Sequence, residues 1–430
     1  MAHTLPPYRG DLTPEGSIVP FAVEPRDVTS PAAIEKLAQA AGVIVTNTAT
    51  HARGILIRSD KKSQFKEDAD FEERHPRAEM IARAGVGHDN IDKGRAARRG
   101  IATVSTPGPS SEPVAQHALM MLLALARQMP ANMAALKAHR WGKKEPEAKP
   151  RNTKTMTLGI VGHGRIGQAL HRMAEPHFKK ILFTDKRDLP GKVALEELVQ
   201  QCDAISMHVD GNKPILTREL LQLVKPGLIL VNTARGGVVD TEALLDAMNG
   251  KDIRIGTDVF RTESGDMFAA DPILTDLVDH PNFLGSCHVA ASDDETEEQL
   301  GLEAAQRAIE FAQHAIVNPE NIPGHTLPRV SADDDADGNG NGDARAPIIR
   351  LALMHESVSG VLGNITGIIG QHHINIAALV NKDGPELDGH RLAMTVIDLE
   401  RVKQDMANRI RDEIVRAVRP HKTRLLTYDE

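Results

Sequence analysis

The sequence predicts an α/β protein: two doubly wound parallel-sheet domains followed by a smaller βαββαβ unit. Three observations carry that prediction. Before residue 331, short and fully apolar runs alternate with amphipathic stretches, the pattern of parallel strands covered on both faces. One of these runs ends in G-x-G-x-x-G. After residue 346 the pattern changes to strand, helix, strand, strand, helix, strand within about 80 residues, the order of a split ferredoxin-like unit. A chain of 430 residues is long enough for such a division and too long for one small module.

The elements follow in order. Strands are expected at 42–46, 54–57, 80–84, 157–161, 180–184, 204–208, 228–232 and 253–257, where apolar runs are bounded by turn residues. Helices are expected between them, at 31–41, 165–174, 195–201 and 241–249, where apolar residues recur with helical period. Ser292 and Glu295 form a Ser-x-x-Glu capping box that starts a further helix. The stretch 331–346 (SADDDADGNGNGDARA) has no apolar periodicity and cannot offset its ordering entropy, so it reads as a flexible acidic linker. Beyond it come strand 348–355, helix 360–371, strands 374–380 and 391–399, helix 402–418 and strand 423–427. The expected partition is 1–107 with 293–330, then 108–292, the linker, and 347–430.

Composition excludes several classes. Hydrophobic content of 41% with 26% charged residues is not that of a disordered chain. The longest apolar run, ALMMLLALA at 118–126, ends at Arg127, far short of the roughly 18 residues of a membrane span. The opening MAHTLPPYRGDLTPEG has no apolar core of a secretory signal, and two cysteines, Cys202 and Cys287, suit a reducing, cytoplasmic setting. A net charge of −8 disfavours nucleic-acid binding. Aromatic residues are only 3%, so stacking platforms are not expected. No metal site is expected either; the Gly-Asn alternation in the linker lacks the spaced ligands of a calcium loop.

The sharpest local signal is TLGIVGHGRIG at 157–167. Gly162 permits a tight turn, Gly164 lets backbone approach a pyrophosphate, and Gly167 lets helix and strand pack closely. Arg165 and Ile166 open the helix, whose free N–H groups favour phosphate. Asp185 ends the next strand, at the spacing of the acid that accepts a ribose 2′-hydroxyl, and so favours NAD. Lys186 and Arg187 follow directly and could hold the extra phosphate of NADP instead. A second cluster, NTARGGVVD at 232–240, leaves a strand through two glycines and carries Ala234 and Arg235. A guanidinium at the carboxyl end of such a strand can grip a carboxylate. Glu263 and His288 lie downstream in DVFRTE and CHVAAS. Taken singly, Arg235 also reads as a capping cation, Glu263 as a solvated acid, and His288 as one of 19 histidines.

Together these phrases resemble the D-2-hydroxyacid dehydrogenases. ARAGVGHDNID (82–92), VSTPGPSSEPVAQHALMMLLALAR (104–127), TLGIVGHGRIG, NTARGGVVD, GTDVF and CHVAAS occur in family order. The resemblance implies two Rossmann-like domains, an NAD cofactor contacted also through Ala234 and Asp258, and a catalytic set of Arg235, Glu263 and His288. It implies that Val86 and Gly87 offer backbone N–H groups to the substrate carboxylate, and that Arg58 and Arg83 bind substrate. Trp141 and Lys143 resemble residues that reach a neighbouring subunit, consistent with a homodimer or homotetramer. The implied activity is NAD-dependent oxidation of a phosphorylated 2-hydroxy acid, 3-phospho-D-glycerate, which opens L-serine biosynthesis. A glyoxylate or hydroxypyruvate reductase of the same family is the alternative, and an NAD-sensing corepressor a remoter one.

Three departures stand out: Cys287 where the family usually has Pro, Gln116 followed by His117 where Glu is common, and a charged insert within 58–80. The C-terminal segment LALMHESVSGVLGNITGIIGQHHINIAAL resembles an ACT regulatory domain. That resemblance implies amino-acid binding, with His355, Ser357 and Asn375 as the positions that would take L-serine.

Overall fold

The computed structural model describes residues 8–13, 17–28, 30–58, 70–87, 90–141, 149–263, 265–315, 349–387, 389–400 and 402–428. The expected linker at 331–346, Lys143, and 59–69 of the charged insert lie outside the described residues. The chain divides into two compact units, Met1–Pro107 with Glu297–Glu430, and Gly108–Thr296.

In the first unit the strands are β1 (Tyr8–Leu12), β2 (Ile18–Val19), β3 (Phe21–Glu24), β4 (Val43–Val45), β5 (Gly54–Ile57), β6 (Met80–Arg83) and β7 (Ala102–Ser105). Five of them form a parallel sheet in the order β4-β3-β5-β6-β7. Alternate residues serve opposite faces. Leu56, Met80 and Ala82 join one core with Phe21, Leu37 and the helix Asp294–His314, while Ile55, Ile57 and Ile81 join another with Phe71 and Ile101. Burial on both faces explains why these strands read as unbroken apolar runs. The helix Asp294–His314 starts one residue later than the capping box predicts. Asp293, not Ser292, caps it, accepting from the Thr296 N–H (2.8 Å) and hydroxyl (2.7 Å).

The second unit contributes β8 (Thr157–Val161), β9 (Lys180–Thr184), β10 (Ala204–Met207), β11 (Ile229–Asn232), β12 (Arg254–Thr257) and β13 (Phe283–Gly285). They form a second parallel sheet in the order β13-β12-β11-β10-β8-β9. The chain leaves β8 for β9 on one side and returns to β10 on the other, which opens a crevice beyond the carboxyl ends of β8 and β10. The helix Ser111–Ala126 packs its Ala115, Ala118, Leu122 and Leu125 into this unit's core, so the long apolar run is a buried helix. Among the described residues no single helix is long and apolar enough to cross a membrane.

The C-terminal strands are β14 (Ile349–Glu356), β15 (Ile376–Leu387), β16 (His390–Leu399) and β17 (Lys422–Tyr428), with helices Val361–Gln371 and Gln404–Val418 between them. The βαββαβ order is thus present, with antiparallel pairing in the order β15-β16-β14-β17. The sheet does not stop there. β1 adds antiparallel to β17, and β2 to β1. One face packs on its own helices through Leu351, Leu353, Ile397 and Leu425. The other face, Ala352, Met354, Met394, Val396 and Leu426, completes the core built on Phe21 and Phe311. The segment 347–430, expected from sequence as a domain of its own, shares an apolar core with residues 1–107 and falls in one compact unit with them.

A buried ion cluster pins that junction. Arg424 donates from Nε and Nη2 to the two Asp11 oxygens (2.9 Å each) and from Nη1 to the Phe311 carbonyl (2.7 Å). Arg53 bonds Asp11 as well and donates to Glu79 at 2.8 Å. The Arg53 and Arg424 guanidinium groups both lie over the Phe21 ring, at 4.6 and 4.8 Å from its centre.

Candidate active site

The glycine-rich turn connects β8 to the helix Arg165–Ala174 at the crevice of the second unit. Gly162 has φ 93°, and a Cβ there would meet the His208 carbonyl oxygen at 2.4 Å, so neither conformation nor space admits a side chain. A Cβ on Gly167 would lie 2.1 Å from the Gly162 carbonyl oxygen. A Cβ on Gly164, in contrast, would meet nothing within 4 Å. The turn is tight against the protein on one side and open at Gly164, beside the helix N-terminus. That open cradle fits a pyrophosphate. Arg165 is exposed at the first helical position, and Ile166 packs on the core beneath it.

Asp185 follows β9 and ties the turn together. Its Oδ2 accepts the His163 N–H at 2.8 Å, and Arg187 donates to it from Nε (2.8 Å), Nη2 (3.0 Å) and its own N–H (2.9 Å). The Arg187 guanidinium, more than any other group, holds this carboxyl far below the usual range. Lys186 is paired with Asp210 at 2.8 Å. Both cations that could take a second phosphate are thus engaged by carboxylates. Sequence reasoning passed over His163. Its ring stacks on Phe183 (centroids 4.0 Å apart) and meets His171 at 3.1 Å, giving the turn an aromatic floor.

Arg235, Glu263 and His288 are brought together by three loops at the carboxyl ends of β11, β12 and β13. Asn232 fixes the first loop, accepting from Ala234 N–H (3.1 Å) and donating to the Arg235 carbonyl (2.9 Å). Gly236 lies against the chain at Phe260 and Arg261; a Cβ there would overlap the Phe260 carbonyl carbon at 1.9 Å. The Phe260 N–H in turn donates to Glu263 Oε1 at 2.9 Å. Glu263 Oε2 sits 2.7 Å from His288 Nδ1. A carboxylate only accepts, so Nδ1 carries the proton and Nε2 is left to exchange one.

The charges follow from this arrangement. The Glu263 hydrogen bond raises the His288 pKa, against partial burial and the nearby Arg235 charge. Burial pushes Glu263 up, but the His288 and Phe260 hydrogen bonds and the His288 and Arg235 charges together hold it below its ordinary value. His288 itself has φ 54°, a left-handed conformation that costs about 1–2 kcal/mol for a residue with a Cβ. The strain is held by hydrogen bonds: its N–H donates to the Asp258 carbonyl at 2.8 Å. The Asp258 side chain is 1% exposed, and its oxygens accept from Ser286 Oγ (2.6 Å), Val289 N–H (2.9 Å) and Ala290 N–H (3.0 Å). Asp258, expected from sequence to contact cofactor, is thus occupied with the histidine loop.

A chain with this set of motifs has relatives. Residues 119–290 match the family model described as D-isomer specific 2-hydroxyacid dehydrogenase, NAD binding domain. The chain is 36% identical over 255 residues to a hydroxypyruvate reductase from Thermotoga maritima, covering 57% of this chain and 81% of that protein. The chain belongs to the D-isomer specific 2-hydroxyacid dehydrogenases. It is an NAD-dependent dehydrogenase of that family. A D-3-phosphoglycerate dehydrogenase from Escherichia coli (strain K12) is 30% identical over 335 residues, 75% of each chain. The chain spans about half the length of the mycobacterial D-3-phosphoglycerate dehydrogenases it matches, 46–49% of each. Among solved structures, the D-lactate dehydrogenase from Aquifex aeolicus complexed with NAD and lactic acid aligns with a TM-score of 0.58 and 25% identity, covering 67% of this chain and 95% of that one.

Arg58, Arg83, Val86 and Gly87 lie in the other unit of this dehydrogenase. Arg58 and Arg83 stand at the carboxyl ends of β5 and β6. Arg58 pairs with Glu297 at 2.8 Å, and that hydrogen bond raises its pKa. Arg83 folds over Gly85, where φ is 146° and a Cβ would meet its Nη1 at 2.2 Å. The Gly85 N–H donates to Thr106 Oγ1 (2.8 Å), which shapes the turn that leaves Val86 exposed and Gly87 half-buried. Trp141, in the unit Gly108–Thr296, is 82% exposed.

In the C-terminal sheet the residues expected at an effector site are separated. Register pairs His355 with Ala393, while Asn375 precedes β15, which starts opposite Leu399. The two stand at opposite ends of the sheet and cannot form one site within a single chain. His355 is 3% exposed, with its ring nitrogens at 2.8 Å from the Glu356 carbonyl and from Thr395 Oγ1, and burial lowers its pKa. The Ser357 N–H donates to the Arg391 carbonyl at 2.7 Å, and Asn375 donates to Glu400 at 2.6 Å.

Proposed function

We propose that this dehydrogenase oxidises 3-phospho-D-glycerate to 3-phosphohydroxypyruvate in the cytoplasm, at the entry to L-serine biosynthesis. The observation that carries the chemistry is the 2.7 Å Glu263–His288 pair beside Arg235. Bound NAD supplies the hydride acceptor. His288 Nε2 takes the proton of the substrate hydroxyl, and its imidazolium returns one in reduction. Glu263 fixes the tautomer and stabilises the imidazolium. Arg235 anchors the substrate carboxylate and polarises the reacting oxygen. The backbone N–H groups of Val86 and Gly87 serve as a second carboxylate cradle, and Arg58 and Arg83 as cations for the phosphate. Gly162, Gly164, Gly167, Arg165 and Ile166 form the pyrophosphate turn, with Asp185 on the adenosine ribose.

A second reading, reduction of hydroxypyruvate or glyoxylate, is favoured by the Thermotoga relative and by the Glu297 carboxylate that already neutralises Arg58. NADH oxidation against 3-phosphohydroxypyruvate, hydroxypyruvate and glyoxylate separates the two. The phosphorylated acid should give the highest kcat/KM, and a preference for either unphosphorylated acid overturns the reading.

For the C-terminal sheet and its helices the reading is an ACT domain that binds L-serine. Because one chain keeps His355 and Asn375 apart, a site holding both draws them from two copies, in a homodimer or homotetramer. Calorimetric titration with L-serine should give heat, and none at millimolar ligand removes this part of the proposal.

A further inference from the structure

The geometry points to His117 and Ser286 as positioning residues for His288, acting through the buried Asp258 carboxylate. Asp258 is the centre of a donor relay. Its carboxylate can only accept, so the Ser286 hydroxyl hydrogen is committed to it (2.6 Å). Ser286 Oγ must then accept from His117, whose Nε2 lies 2.8 Å away on the helix Ser111–Ala126. His117 Nε2 is therefore the protonated ring nitrogen, and the relay runs His117 N–H to Ser286 O–H to Asp258.

The far side of Asp258 is the histidine loop. Its side chain gathers the N–H groups of Val289 and Ala290, and its carbonyl takes the N–H of His288. Four hydrogen bonds thus hold 286–290 to one residue, and the residue they frame is the one in left-handed backbone conformation. A loop released from Asp258 can relax His288 to an ordinary conformation, and the ring then leaves Glu263. His117 touches none of Arg235, Glu263 or His288 in this arrangement; its influence passes through Ser286 and Asp258. The sequence places it after Gln116, in a position where the helix offers a donor that a leucine or methionine could not supply.

The inference rests on His288 being the acid–base group, and the test keeps the two apart. His288→Gln is measured first; full turnover in that variant overturns the catalytic reading and this inference with it. His117→Leu and Ser286→Ala should each lower kcat by roughly 10-fold to 10²-fold, as expected for a misplaced catalytic group. The NADH dissociation constant, read by fluorescence, should stay within about twofold. The charged groups acting on His288 are Glu263, Asp258 and Arg235. Loosening the Glu263 pair should therefore move the acid limb of the kcat/KM profile to lower pH, towards that of an ordinary histidine. His117→Gln keeps an N–H donor and should recover most of the lost kcat and return the limb. Loss of NADH affinity in step with kcat would assign the network to cofactor binding and overturn the proposal. So would a fall in kcat that follows the loss of thermal stability, leaves the acid limb in place and is not rescued by glutamine.

Discussion

The His288–Glu263 pair of the unit Gly108–Thr296 keeps solvent-facing atoms, whereas the Asp11–Arg424 and Asp398–Arg350 pairs of the unit formed by Met1–Pro107 and Glu297–Glu430 are interior. His288 is exposed, and its hydrogen bond to Glu263 raises its pKa. His355 is enclosed, with its ring nitrogens at the Glu356 carbonyl and the Thr395 hydroxyl, and burial lowers its pKa. Asp185 and Arg187 pair at the surface of the first. Asp11 with Arg424 and Asp398 with Arg350 are interior to the second, the latter at 2.6 Å with 0% and 3% of their side chains exposed. A group that must exchange a proton or meet a ligand keeps a solvent-facing atom. A group that ties the strands of a sheet to one another and to the helix Asp294–His314 is closed off, and its charge becomes a structural liability once its partner is lost.

The largest effect that tests this contrast is His288→Gln. It should reduce turnover by roughly 10²–10⁴-fold while NAD binding and thermal stability are kept. Unchanged turnover in stopped-flow NADH oxidation would refute the assignment. Arg424→Ala should act in the opposite way. It leaves Asp11 buried with one cation fewer and uncovers the Phe311 carbonyl, so unfolding free energy should fall by about 3–5 kcal/mol. Chemical denaturation that finds less than about 1 kcal/mol would mean that the junction carries little of the unit's stability.

That junction was not legible in the sequence, and the reason is physical. β1 pairs with β17, more than 400 residues away, and no local pattern in YRGDL announces a partner that distant. Strands 157–161 and 180–184 and helix 165–174 were legible to the residue, because their apolar period and terminal glycines are local and agree. β15 runs seven residues past its expected end, through Asn-Lys-Asp-Gly-Pro, which reads as a turn. It continues because it is an edge strand, and its register shifts between Asp383 and Glu386 to admit the proline. At the site, glycines and charged residues in motifs were recognisable singly. The Ser286–His117 bond, joining positions 169 residues apart, was not.

A smaller effect should come from His355→Gln, and it sharpens the comparison through pH. A histidine with a lowered folded pKa binds more protons unfolded than folded. Its burial therefore weakens stability as pH falls below the unfolded value, about 6.5. His288 tilts the other way: its raised value contributes stability that is present below about pH 6.5 and is lost as pH rises through the folded value. His208, also buried and pushed down to about 3, adds to the acid-side loss. His355→Gln should flatten, though not abolish, the fall in Tm between neutral pH and pH 5. It should cost about 1–3 kcal/mol at neutral pH, where Thr395 loses part of its bonding. An unaltered slope would mean that His355 is as accessible to protons as His288.

The smallest effect belongs to Asp185 with Arg187, a pair whose guanidinium is at the surface. Surface ion pairs contribute about 0–1 kcal/mol, so Arg187→Ala should scarcely change Tm. Its consequence should appear in cofactor choice. Asp185 opposes a 2′-phosphate by charge, but in the wild-type chain four hydrogen bonds, three of them from Arg187, partly offset that charge. Removing the guanidinium restores the full repulsion and takes away a cation that could attract the phosphate. Both changes act in one direction. The ratio of kcat/KM for NADH over NADPH should rise several-fold, on the order of the 1.4 kcal/mol that a tenfold change represents. A ratio that moves towards NADPH would refute the charge argument, and with it the exclusion of the 2′-phosphate by Asp185.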